Sequence, residues 1–216
     1  MNDLPTVIDS VVHPVPYYSQ WESADLVADI VTGATRAADD PRWAHSGATT
    51  SEEYEWWAGR LCGVACLRMV LDHWRGVAPP SVRLAQECLD AGAYVKRDGG
   101  LDGLLYAPFA EYARHRWGLA AECRPDLPAT EIPRQIADGR LVMLSVHRSI
   151  RTLDPAPPRR GGHLVLAVGA TPDAVVIHNP SGLPGRSQRH ARVPWSDLDL
   201  FYAQRGVVLG QTGEAS

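Results

Sequence analysis

Between Cys62 and Arg75 the apolar positions Ala65, Cys66, Met69, Val70 and Trp74 cover most of a helical circumference and leave Arg68, Asp72 and Arg75 as one narrow polar stripe. That spacing predicts a nearly buried, central helix. Just before it, Thr50 and Glu53 have the spacing of a capping box and Gly59 is a stop signal, which predicts a short preceding helix. Further helices are predicted after Ser81, Asp102 and Thr130, each opened by a capping residue and closed by Gly92, Gly118 and Gly139. Beyond Gly139 the apolar period shortens, and 141–147, 163–169 and 175–178 read as strands, the last two paired as a hairpin across Thr171-Pro172-Asp173. A Ser196-capped helical turn within 195–203 and a closing strand over 206–211 complete the pattern. Helices first and strands later predict an α+β fold. Upstream, Pro14 and Pro16 predict an extended Val15–Gln20 segment, and 21–59 is irregular and tryptophan-rich, with Trp21, Trp43, Trp56 and Trp57.

A chain of 216 residues that is 45% hydrophobic fits one domain, with 21–59 as an insertion. The formal charge of −4, with no run of five like charges, gives nucleic acid and anionic membranes nothing to attract them. No stretch has the apolar length of a bilayer span, and MNDLPTVIDSVVHPVPYYSQ lacks the cationic start and apolar core of a secretory signal, so a cytoplasmic location is expected. Cys62, Cys66, Cys88 and Cys123 include no CxxC pair and are expected as thiols.

The chemistry concentrates at a few positions. Cys62 stands at the first turn of the predicted central helix, where unpaired N–H groups and the positive end of the dipole favour thiolate, and its own N–H is a candidate oxyanion donor. Gly63 leaves room there for an approaching carbonyl. Cys66, one turn later among Leu67, Met69 and Val70, reads as a packing thiol. His163 begins an apolar strand after Gly161 and Gly162, glycines that admit a substrate, and such a strand end aims an imidazole base well. Asn179, at the end of the hairpin's second strand, then falls beside His163 and can fix its tautomer, while the adjacent His178 faces away. Gln20 is a candidate second oxyanion donor. His147 reads as a wall of the same cleft and His73 as core. Cys62, Cys66 and the histidines lack the paired spacing of a zinc site, and no metal or cofactor is expected.

The ordered set VPYYSQ, LCGVACLRMVL, GGHLVLAVG and HNPSG resembles the bacteriocin-processing peptidase family in its stand-alone, C39-like branch of the papain-like superfamily. The resemblance covers nearly the whole chain. It implies a papain-like α+β fold, with Cys62 as nucleophile on a central helix packed on an antiparallel sheet that carries His163 as base and Asn179 as its orienter, and with Gln20 as oxyanion donor. Two departures stand out: the third member is commonly Asp in that family, and Gln20 and Cys62 are forty-two positions apart. The long interval makes 21–59 a candidate lid, with Trp21 at the cleft. The implied activity is amide or peptide hydrolysis through an acyl-enzyme on a peptide or peptide-like substrate. An acyltransferase or cyclase would use the same residues, and a non-catalytic binding module on this scaffold is the competing class.

Overall fold

Why the helices come first is visible in how the chain buries its apolar faces. The computed structural model describes residues 10–97 and 100–212; residues 1–9, to which the reading of a missing signal partly applies, lie outside them. After β1 (Val11–Val12) and an extended run, the segment 21–59 folds as single helical turns and two helices, α1 (Val27–Thr32) and α2 (Ser51–Ala58). Its hub is the fully buried Asp40, whose carboxylate accepts from Ser23 N and Oγ, Arg42 N and Tyr54 OH. Thr50 caps α2 by accepting from Glu53 N, while Glu53 reaches back to Thr49 N rather than to Thr50. A turn of three residues leads into α3 (Cys62–Arg75), which ends where Gly76 takes the left-handed conformation at φ 65°.

Two members of the α3 polar stripe, Arg68 and Asp72, are covered by the chain's own amino-terminal run, while Arg75 stays exposed. Arg68 is buried, pairs with Glu22 at 3.2 Å and lies over the Tyr18 ring, and Tyr18 OH donates to Asp72 at 2.9 Å. His73, expected in the core, is half-buried.

α4 (Ser81–Asp90), a small hairpin of β2 (Lys96–Arg97) and β3 (Gly100–Leu101), α5 (Tyr106–Trp117), β4 (Leu119–Arg124) and α6 (Ile132–Ala137) follow. None of α4, α5 or α6 has a side-chain amino-terminal cap; Pro80, Leu105 and Glu131 hold those positions, so the expected capping residues stand elsewhere. α5 starts at Tyr106 because Leu105 is still extended (φ −83°, ψ 117°).

The strands β5 (Leu141–Val146), β6 (His163–Ala170), β7 (Ala174–His178), β8 (Ala191–Pro194) and β9 (Tyr202–Gln211), with α7 (Trp195–Phe201) between the last two, form with β4 an antiparallel sheet ordered β4-β9-β5-β6-β7-β8, and β1 pairs with β6. Helix and antiparallel sheet are thus combined as expected for α+β. Side-chain alternation splits the core. Leu164, Leu166 and Val168 of β6 pack under α3, whereas Val165 and Ala167 join the opposite core with Ile132, Ile136, Leu198 and Phe201 of α6 and α7. β9, read as a closing strand, is an interior strand held between the edge strand β4 and β5. α7 opens at Pro194 with no side-chain cap, where Ser196 was expected to serve.

Candidate active site

Cys62 is the first residue of α3. The first intrahelical bond, Ala65 N to Leu61 O at 2.8 Å, comes after it, so the N–H groups of Cys62, Gly63 and Val64 are left without helical acceptors. Backbone N–H groups of Leu164, Gly63 and Cys62 favour a thiolate here, but burial of the sulfur weighs more and pushes the thiol above its ordinary value. The expectation of a resting thiolate is thereby corrected: desolvation at this helix start outweighs its dipole. Cys66 is fully buried, with Sγ 3.9 Å from Leu164 O and its pKa pushed well up by burial, and all four cysteines are free thiols.

His163 is the first residue of β6 and is only 6% exposed, not at the open strand end that the sequence suggests. β6 and β7 pair with Leu166 opposite His178. Continuing that register by one residue sets Asn179 diagonal to His163 on the same face of the sheet. The contact is direct: His163 Nε2 lies 2.9 Å from Asn179 Oδ1. Ser181 N donates to the same oxygen at 3.1 Å, which fixes the amide orientation, and Asn179 Nδ2 is buried without a partner. With Nε2–H donated to Asn179, Nδ1 is the ring nitrogen left to act as base. Burial lowers the His163 pKa to about 4 against the opposing effect of the Asn179 hydrogen bond, and Arg151 and His147 lower it further, so the ring is neutral at pH 7. Among the described residues no hydrogen bond joins the Cys62 sulfur to the ring.

Cys62 and His163 instead border the same open space. Two cavities, of about 720 and 540 Å³, both have Gly59, Cys62, Gly162 and His163 in their walls. Gly162 and His163 place the amino end of β6 in both walls, so the start of α3 and the start of that strand border one cleft. The larger continues along Leu101, Leu104, Leu105 and Tyr106. The smaller continues along Gln20, Trp21, Arg148, Arg151 and Ser181.

Gln20 reaches this cleft because 21–59 folds back on itself. Its Nε2 donates to Ala58 O at 3.0 Å, at the end of α2 just before the turn into Cys62, and its backbone N donates to Pro180 O at 3.0 Å, beside Asn179. Gly162 has φ 96° and open space where a Cβ would stand, so both its conformation and its place in the cleft suit glycine.

Two candidates stand outside the cavity walls. A Cβ on Gly63 would meet Leu104 Cδ2 at 2.6 Å and Leu164 Cδ1 at 3.0 Å, so this glycine makes room for packing side chains rather than for a substrate. His147 lies in neither cavity wall; its Nδ1 pairs with Ser149 Oγ at 2.8 Å and accepts from Ser149 N, capping the helical turn Arg148–Arg151. His178 turns away from His163, with Nε2 2.8 Å from Val15 O, and ties the amino-terminal run to the sheet.

Ser181 and Arg151 escaped the sequence reading. Ser181 Oγ lies 3.1 Å from His163 Nε2 and accepts from Arg151 Nη2 at 3.0 Å. The serine stands two residues after Asn179 in HNPSG, whereas Arg151 ends the helical turn Arg148–Arg151, whose path no local pattern announces. Among the described residues no group of three or more His, Cys, Asp or Glu stands together to hold a metal ion, and no helix is long and apolar enough to cross a membrane.

No protein-family model and no curated protein match the chain. Among solved structures, a Bacillus anthracis protein described as a C39-like peptidase aligns over 95% of this chain and 100% of its own, with 15% identity and a TM-score of 0.57. Looser alignments reach the peptidase domain of Streptococcus ComA, a bifunctional ABC transporter (15% identity, 71% of this chain, 93% of that one, TM-score 0.47), and a double-glycine-motif protease of an AMS/PCAT transporter solved with a leader peptide (19%, 70%, 84%, 0.45). The chain has the fold of C39-like peptidases.

Proposed function

We propose that the protein is a stand-alone C39-like cysteine peptidase, a hydrolase that cleaves an amide bond of a peptide or peptide-like substrate through an acyl-enzyme on Cys62. The observation that carries this reading is the 2.9 Å contact between His163 Nε2 and Asn179 Oδ1, which reserves Nδ1 as a base beside a cleft that Cys62 also lines. His163 accepts the Cys62 proton as the sulfur attacks the carbonyl carbon. The Cys62 N–H and the second hydrogen of the Gln20 amide hold the oxyanion, since one hydrogen already goes to Ala58 O. His163 then returns the proton to the leaving amine and activates water to release the acid. An amine in place of water turns the same intermediate into a transfer product.

The neutral resting pair makes charge separation part of the chemical step. Asn179 orients the imidazolium without a charge of its own to stabilise it, so the substrate's closure of the cleft and the oxyanion donors supply the driving force. The test is mass spectrometry of the protein after incubation with cell extract at low pH quench. A mass increment on the Cys62 peptide, absent in Cys62→Ala and reduced in His163→Ala, is the expected result. An increment that survives Cys62→Ala, or full turnover in either variant, rejects the mechanism.

A further inference from the structure

The cleft is cationic in a chain of net negative charge. Arg148 and Arg151 line the smaller cavity and Arg60 and Arg205 the larger, and among the described residues no Asp or Glu contributes to either wall. Among the described residues neither Arg148 nor Arg151 pairs with a carboxylate. Arg151 is the less satisfied of the two. Its Nη2 donates to Ser181 Oγ at 3.0 Å, its Nε is buried with no partner, and Nη1 has no hydrogen bond among the described residues. Burial and the nearby Arg148 both disfavour its charge, yet a guanidinium stays protonated in water-accessible protein sites. Two like charges are held side by side, one of them short of acceptors, next to the reacting thiol.

From this arrangement we infer that the part of the substrate seated in the Gln20–Arg151 cavity carries a carboxylate, which Arg151 binds with help from Arg148 while the apolar Leu101–Tyr106 side takes an uncharged portion. The inference rests on the proposed cysteine chemistry and assigns its specificity. A planar carboxylate matches the guanidinium fork and supplies the acceptors that Arg151 lacks. It also draws on the contrast between a cationic cleft and an acidic surface, which concentrates anions at the site. Because Arg151 holds Ser181, and Ser181 touches His163, an anion here is linked by hydrogen bonds to the base itself.

Two alkylating agents with one reactive carbon test it. Iodoacetate and iodoacetamide differ in a carboxylate against an amide, and the ratio of their rates at Cys62, read by peptide mass spectrometry, cancels any change in the thiol's own reactivity. The ratio should exceed that of free cysteine by about tenfold, the equivalent of one charge-assisted hydrogen bond. It should fall to near the free-cysteine value in Arg151→Gln and by a smaller factor in Arg148→Gln, an exposed position whose replacement spares the fold. A ratio equal to that of free cysteine, or one unchanged in both variants, overturns the carboxylate site. Failure of the cysteine chemistry reads differently: Cys62 then reacts no faster than Cys123 with the neutral reagent. Protection of Cys62 by acetyl-trialanine separates the sources: protection by the free acid alone assigns a chain terminus, and protection by the amide with a final Asp assigns a side chain. Equal protection by the neutral amide counts against any carboxylate.

Discussion

At the scale of single residues, the account turns on three groups around one imidazole. Asn179 accepts from His163, Ser181 braces both, and Arg151 braces Ser181. Losing an orienting hydrogen bond costs about 1–3 kcal/mol, so Asn179→Ala should lower kcat/KM by roughly tenfold to a hundredfold, less than His163→Ala. A loss equal to that of Cys62→Ala would mean that Asn179 does more than orient. Asn179→Asp is the sharper variant. With His163 at about 4, the wild-type acid limb of kcat/KM should lie near that value, because the base is lost only below it. A carboxylate at 179 favours the imidazolium, so the limb should move upward in pH; an unmoved limb would separate Asn179 from the titrating base. Cys62, His163 and Asn179 were legible because each sits at an element end that the apolar pattern marks. Ser181 and Arg151 were not, since their roles depend on where a turn and a loop cross in space.

Among the elements, α3 was readable to its terminal residues, because its apolar face and the left-handed Gly76 both follow local rules. β4 and β8 were missed. β4 carries Leu-Ala-Ala-Glu-Cys-Arg, with little intrinsic strand preference, and owes its conformation to pairing with β9 over six positions. The same tertiary dependence put β9 between β4 and β5, where a Cβ on Gly206 would stand 1.9 Å from Met143 O. Gly206→Ala must therefore part β9 from β5, and a loss of about 3 kcal/mol or more in denaturant unfolding is expected. Stability within 1 kcal/mol of wild type would show that the two strands separate freely. The capping residues expected for α4, α5 and α6 failed for a related reason: Pro80, Leu105 and Glu131 precede these helices without a side-chain cap, so packing rather than a local side chain holds their first turns.

For the whole molecule, buried histidines set the response to acid. His163 and His178 are each lowered to about 4, chiefly by burial, from an ordinary value near 6.5. The unfolded chain binds their protons first as pH falls, so the fold is fully stable above about 6.5 and loses on the order of 3 kcal/mol per histidine by pH 4. The melting temperature should fall steeply across that window, and less so in His178→Gln measured relative to its own value at pH 7. The helices meet the sheet along several lines, α3 on β6 and α5 on β4 among them, and the cleft lies where the starts of α3 and β6 come together. Whether this geometry makes Cys62 a nucleophile is most directly read from the alkylation rates of all four cysteines by iodoacetamide at pH 7, followed peptide by peptide. The account predicts that Cys62, although it rests as a thiol, reacts faster than Cys66, Cys88 and Cys123 because His163 takes its proton as the carbon–sulfur bond forms, and that His163→Ala removes most of this lead. A Cys62 no faster than the half-buried Cys123, or a lead untouched by loss of the imidazole, would contradict it.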